Sequence, residues 1–332
     1  MQAPNVRDIV DLPSVWSRMD QVEDRIFEVT QSSDQFLTEV SQHLLKAGGK
    51  RYRPLLAQLC AELGTPKDRR PVDAGVAVEL IHVGSLYHDD VIDESDFRRG
   101  NPSANANWTN TVAILAGDFL MARASEVAAT ELGQDAVRLL ARTYAELVEG
   151  QTIELQLDHD LNHSPAEYYK VIGGKTASLI RTSARLGAIA ADCPPADVDA
   201  ISDWAWELGM LFQVSDDALD LVASDDYLGK PAGSDITEGK ITLPVLYALG
   251  DANGQDIRDL LGEPPYDPTS VEEVIRIVRT SGHIERTLDE ATARMRVAES
   301  ALDSVGSPAT REVLTKMGGF LIQQVDFARS SV

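Results

Sequence analysis

A chain of 332 residues with 43% hydrophobic and 25% charged residues has the composition of a folded globular protein, which excludes the disordered and fibrous classes. Its formal net charge of −23 excludes a nucleic-acid partner, because a phosphate backbone demands surplus Lys and Arg. Cys60 and Cys193 are too few for a disulfide framework and point to a reducing cytoplasm; there is neither an 18-residue apolar run to span a membrane nor a basic-then-apolar leader at the N-terminus.

From Leu12 to about Lys46 apolar residues recur at three- and four-residue steps, which predicts two amphipathic helices parted near Ser32 and Ser33. Gly48 and Gly49 stop the second one, and the basic loop GGKRYRP follows, with Pro54 suited to the first turn of the next helix. Lys50, Arg51 and Arg53 repel one another unless an anion sits among them, although a solvated basic turn is the plainer alternative. Pro71 opens a long helix that is apolar almost all round, as expected for the middle of a bundle. That helix ends in ELIHVGSLYHDDVIDESDFRRG, residues 79–100, on which the reading turns.

In this stretch Asp89 and Asp93 stand one helical turn apart on one face, at about 100° per residue, with Asp90 beside them. Two carboxylates so placed can hold Mg2+, which keeps its other positions for water and phosphate oxygens. Arg98 and Arg99 follow, and guanidinium forks bind the same phosphates, so the stretch reads as a diphosphate site. With 32 Asp in 332 residues the pattern D-D-x-x-D arises about 0.3 times by chance, so one copy is weak. A second copy, Asp216, Asp217 and Asp220 in FQVSDDALD, lies in another apolar helical pattern ahead of Lys230 and Lys240, and chance becomes a poor account of the pair.

Between the two copies, helical patterns run from Trp108 to Thr130 and from Asp135 to about Leu157. Asp118 in AILAGDFLMA is expected to be a buried acid, either a water-linked ligand or a paired core carboxylate, and Gln151 could line the same cavity. In GGKTASLIRTSARLGAIAA, Gly173 and Gly174 suggest a break, which would put Lys175 and Thr176 at a helix N-terminus suited to anions. The second acidic helix spans about Ala196 to Val222, and a polar loop able to fold over a ligand follows. Two amphipathic helices close the chain, around 284–305 and 309–328. No strand pattern of useful length and no repeat occurs, so the expected fold is all-α. The two acidic claws, 127 positions apart, cooperate only if their helices face each other, which favours one domain over 1–332.

These motifs, in this order and over nearly the whole chain, resemble the trans-isoprenyl diphosphate synthases of the polyprenyl synthetase family. The resemblance implies an antiparallel helix bundle around a deep central cavity, paired as a homodimer, whose chains condense isopentenyl diphosphate with an allylic diphosphate. Three Mg2+ would be held between the claws, with Asp89, Asp93 and Asp216 as direct ligands and Asp90, Asp217 and Asp220 nearby or water-linked. It assigns Arg98, Lys175, Lys240 and Lys230 to the allylic diphosphate, and Lys50, Arg53, His82 and Arg99 to isopentenyl diphosphate. Thr176 and Gln213 would turn oxygen dipoles towards an allylic cation.

Short-chain relatives tend to place an aromatic residue where this chain has Gly84 and Ser85. With Ile81, Met121 and Ser125 further along the expected path, this implies a hexaprenyl to nonaprenyl product for a quinone side chain, with geranylgeranyl diphosphate as the alternative. A class I terpene cyclase would have no use for GGKRYRP, and its second metal motif would mix Asn, Ser and Glu. A non-catalytic helical partner subunit would not need both claws intact.

Overall fold

The computed structural model describes residues 5–224, 231–306 and 308–330. Helix α1 (Pro13–Val29) starts with proline in its first turn and buries Val15, Met19, Val22, Ile26 and Val29, the stripe its periodicity predicts. The next predicted helix is interrupted: α2 (Gln35–Ser41), capped by Asp34, is separated from a further turn, His43–Lys46, by Gln42. The cause lies far along the chain. The Tyr87 hydroxyl inserts into the ladder, donating to the Val40 carbonyl at 2.5 Å and accepting from the Leu44 amide at 3.2 Å.

Helix α3 (Tyr52–Ala61) carries Pro54 in its first turn, as expected, and is preceded by Arg51 with a left-handed φ of 46°. An ion-paired side chain holds that conformation: Arg51 reaches Glu23 at 2.6 Å and Glu79 at 3.1 Å. Helix α4 (Arg70–Ile92) is buried from Pro71 to Ile81 without interruption and touches α1, α3, α5 (Asn110–Val127) and a later helix, α8 (Ser178–Ala190). This is the central helix that its all-round apolar pattern predicts.

Among the described residues the only β structure is a ladder of Phe97 with Pro102 and Arg98 with Asn101. Its turn residues, Arg99 and Gly100, both have positive φ, 54° and 73°, as tight hairpins require. Helices α6 (Gln134–Leu157), α7 (Pro165–Ile172), α8 and α9 (Pro195–Val222) complete the bundle. Helices His283–Ala301 and Pro308–Ser330 pack on α9 and match the closing pair read from the sequence. The fold is all-α, with the fully buried Trp204 of α9 in one core cluster and Ile26, Leu80 and Leu120 in the other.

Two expectations are corrected. Gly173 and Gly174 do not break the helix: Gly173–Ala177 is a π turn continuous with α7 and α8, so Lys175 and Thr176 stand inside a helix rather than at a free N-terminus. Asp118 is not buried; its side chain is 63% exposed, 3.4 Å from His88 Nε2, because α5 turns Gly117 rather than Asp118 towards α4.

Candidate active site

The first claw sits where α4 ends. Asp93 is the C-cap, its amide donating to the Asp89 carbonyl at 2.8 Å, so the two carboxylates are one turn apart and both line the same cavity. Asp90 points elsewhere. It is fully buried, with Oδ1 accepting from Arg98 Nε at 2.6 Å and Oδ2 without a hydrogen-bond partner. Burial pushes the Asp89 carboxyl up to about 6, opposed by Lys175 and reinforced by the negative charge of Asp93.

The second claw divides in the same way. Asp216 is exposed and lines the cavity of about 460 Å³ that Asp89 and Asp93 also line. Asp217 is buried, accepting from Gln213 Nε2 at 2.8 Å and from the Tyr168 hydroxyl at 2.5 Å. Asp220 is buried as well and accepts from the Ser234 hydroxyl at 2.9 Å and the Asp235 amide at 3.3 Å. One oxygen-bearing arm of α9 therefore faces two of α4, and the other three aspartates are held by neighbours.

A second hollow of about 510 Å³ adjoins the first and shares Asp93, Arg98, Lys175, Thr176 and Gln213 with it. Between them the cations are parked on carboxylates. Lys175 bonds Glu154, while Lys240 lies 2.8 Å from Asp158, 3.7 Å from Glu154 and 3.9 Å from Asp93. The π turn makes this possible, because Gly174 and Gly150 meet backbone to backbone. A Cβ on Gly150 would stand 2.5 Å from the Lys175 amide, and one on Gly174 2.7 Å from the Glu146 carbonyl oxygen. Glu154, on α6, and Asp158, which caps it one turn later, escaped sequence reading; beside Gln151 their spacing was the available signal. Gln151 itself donates to Glu154 at 3.2 Å.

The basic loop divides by role. Arg51 is structural, as its two carboxylate partners show, whereas Lys50 is exposed at the cavity edge and Arg53 lines its wall. Burial brings the Arg53 guanidinium down to about 10 against the pull of Glu79, and its Nε has no partner. His82 lines the same wall, held neutral well below the usual histidine range by burial and then by Arg53 and Arg99. Arg99 donates to the carbonyls of Leu44, at 3.0 Å, and Gly48. Lys230 lies outside the described residues.

Residues 34–278 match the polyprenyl synthetase family. The chain belongs to that family. It is 41% identical to the nonaprenyl diphosphate synthase of Mycobacterium tuberculosis over 286 residues, 85% of each chain. It is 34% identical to the short chain isoprenyl diphosphate synthase of Methanothermobacter thermautotrophicus over 328 residues, covering 96% of this chain and 99% of that one. The crystal structure of polyprenyl synthase from Caulobacter crescentus, complexed with calcium and isoprenyl diphosphate, superposes with a TM-score of 0.89 at 33% identity, covering 97% of this chain and 99% of that one. As a family member the chain is a prenyltransferase.

The carboxylates of the family member described here fit a divalent cation shared with a ligand. Among the described residues no three acids, histidines or cysteines converge to hold a metal unaided. Asp89 is nevertheless a half-buried carboxyl crowded by Asp93, and Asp216 lines the same cavity, an arrangement that positive charge would relieve.

The expected length-limiting wall is rearranged. Ser85 lines the cavity, its hydroxyl donating to the His82 carbonyl at 2.8 Å. Gly84 faces α5 instead: a Cβ there would meet Met121 Cε at 3.0 Å and the Gly117 carbonyl oxygen at 3.1 Å. Ile81 is buried, and Ser125 is exposed, its hydroxyl donating to the Met121 carbonyl, so Ser125 is no part of a buried wall.

Proposed function

We propose that this chain condenses isopentenyl diphosphate with an allylic diphosphate and repeats the step to an all-trans hexaprenyl to nonaprenyl diphosphate of the kind used for quinone side chains. One observation carries the reading: carboxylates of both claws and the basic loop line one cavity. Arg98, Lys175 and Lys240 would leave their carboxylate partners for the allylic diphosphate, while Lys50, Arg53, Arg99 and neutral His82 would hold the second diphosphate. Asp89, Asp93 and Asp216 would hold Mg2+, three ions with substrate present, which supply positive charge to the leaving diphosphate.

The allylic C–O bond breaks with its electron pair going to the diphosphate, and the isopentenyl double bond attacks the resulting cation. A proton then leaves the isopentenyl unit, with the released diphosphate as acceptor. Fixed cations aimed at the leaving group lower this barrier because they are in place before charge develops.

One cavity drawing on α3, α4, α6, the π turn Gly173–Ala177 and α9 supports a single domain over 1–332. Exposed Ile114 and Leu115 on α5, with Val148 and Leu155 on α6, support pairing of two copies as a homodimer. Free, buried Cys60 and Cys193 support a cytoplasmic site, and none of the described helices is long and apolar enough to cross a membrane. The identity to a short chain synthase favours a second reading, a geranylgeranyl product.

The experiment is incorporation of labelled isopentenyl diphosphate into an allylic primer with Mg2+. Incorporation abolished by chelation supports the reading, and no incorporation with any allylic primer overturns it.

A further inference from the structure

Four buried or half-buried side chains form one hydrogen-bonded line along the wall of the second hollow, and two of them, Thr176 and Gln213, also line the first cavity. The Tyr168 hydroxyl donates to Asp217 Oδ2 at 2.5 Å, Gln213 Nε2 donates to Asp217 Oδ1 at 2.8 Å, and the Thr176 hydroxyl donates to Gln213 Oε1 at 2.8 Å. Tyr168, Asp217 and Thr176 are 5%, 3% and 6% exposed, so the line is packed into the wall of the second hollow, which all four residues border. Each link constrains the next. A side-chain amide has a donor end and an acceptor end, and the Asp217 oxygen takes the donor end. Gln213 therefore presents its carbonyl oxygen to Thr176, whose proton goes to it and whose lone pairs are left for the cavity.

The geometry points to Tyr168 as a positioning residue that fixes the polarity of the Thr176 hydroxyl through Asp217 and Gln213, so that an oxygen lone pair faces the carbon that becomes cationic. This rests on the reading of the cavity as a prenyl-transfer site. Both Asp217 oxygens are engaged by side chains of the fold at the edge of the second hollow, which separates this aspartate from Asp216, its neighbour on the first cavity. Without the phenol, Oδ2 loses its buried donor, the carboxyl is free to turn, and the Gln213 amide is no longer held in one orientation. Tyr169 provides an internal control: it is the next residue, with its ring 5.6 Å from that of Tyr168, but its hydroxyl bonds Glu290 at 3.0 Å and takes no part in the line.

The test is binding, with Mg2+ present, of two allylic diphosphate analogues of equal size, one with an ammonium nitrogen at the reacting carbon and one with neutral carbon there. The wild type should prefer the ammonium analogue. Tyr168→Phe should lower that preference about 5- to 10-fold, the size of one well-placed hydrogen bond, while Tyr169→Phe leaves it unchanged. Thr176→Val should lower it equally, and Tyr168→Phe with Thr176→Val should lose no more than Thr176→Val alone, since both act through one hydroxyl. Thermal melts establish that each variant is folded.

If Tyr168→Phe weakens both analogues alike, if the two losses multiply in the double variant, or if the wild type binds without preference, the positioning role is wrong. A wild type that binds neither analogue contradicts the functional reading itself.

Discussion

Each claw exposes part of its carboxylate set to the cavity and gives the rest to the fold: Asp89, Asp93 and Asp216 line it, whereas Asp90, Asp217 and Asp220 are buried on hydrogen-bond donors. Replacing Asp89 or Asp216 by Ala should therefore cut the turnover rate by at least about 10²-fold, as loss of a preorganised charge partner does, with a melting temperature no lower than that of the wild type. Turnover near that of the wild type at saturating Mg2+ would contradict it. The pH dependence follows from the position of Asp89. A carboxyl raised to about 6 is mostly ionised at pH 7 and mostly protonated at pH 5, so the Mg2+ concentration for half-maximal rate should rise steeply as pH falls through 6. Titrations of rate against Mg2+ between pH 5 and 8 check this. By linkage the metal-free protein gains stability from this residue as pH falls from about 6 towards 4, because the folded form binds the extra proton. The aspartate pairs were legible because their spacing is local. Which member of each faces the cavity was not, since that depends on Arg98, Tyr168 and Ser234.

The element that shapes the cation side of the cavity is the π turn at Gly173–Ala177, from which Lys175 bonds Glu154 on α6 and Thr176 bonds Gln213 on α9. Its position depends on bare backbone at the contact. Gly174→Ala puts a methyl group 2.7 Å from the Glu146 carbonyl oxygen and 2.9 Å from Gly150 Cα, where neither neighbour is a flexible side-chain end. We expect a loss of about 1–3 kcal/mol in stability, as in overpacked cores, together with weaker binding of the allylic diphosphate. Gly250→Ala, whose nearest contacts are at 3.6 Å, should change neither. Denaturant melts and substrate titrations compare the two. From the sequence the glycine pair reads as a helix break, because the partner that makes it a π turn, Gly150, sits on another helix. The interruption at Gln42 was hidden for the same reason, its cause being the hydroxyl of Tyr87. Helices whose ends are marked by their own residues, such as α1, α4 and α9 with proline in the first turn, were read closely.

At the scale of the molecule, two claws 127 positions apart line one cavity because α4 runs through the middle of the bundle and α9 supplies another part of the cavity's lining. On the proposed reading a product growing from the claws would pass along α4 towards its N-terminus, where one turn of about 5.4 Å matches roughly one isoprene unit. Ser85, a turn from Asp89 and on the cavity wall, is the position at which an aromatic ring would obstruct that path. Ser85→Phe should shorten the product to farnesyl or geranylgeranyl diphosphate while primer use continues; an unchanged product series would show that the chain takes another route. At Gly84 an aromatic ring would press on Met121 and Gly117 before reaching the cavity, a distinction that spacing alone does not make.

The account is tested most directly by incubating the wild type with Mg2+, isopentenyl diphosphate and farnesyl diphosphate and chromatographing the dephosphorylated products beside those of Asp216→Ala. The account predicts hexaprenyl to nonaprenyl alcohols from the wild type and almost none from the variant. Products that stop at geranylgeraniol would contradict the assigned length, and equal yields from the two proteins would contradict the two-claw site.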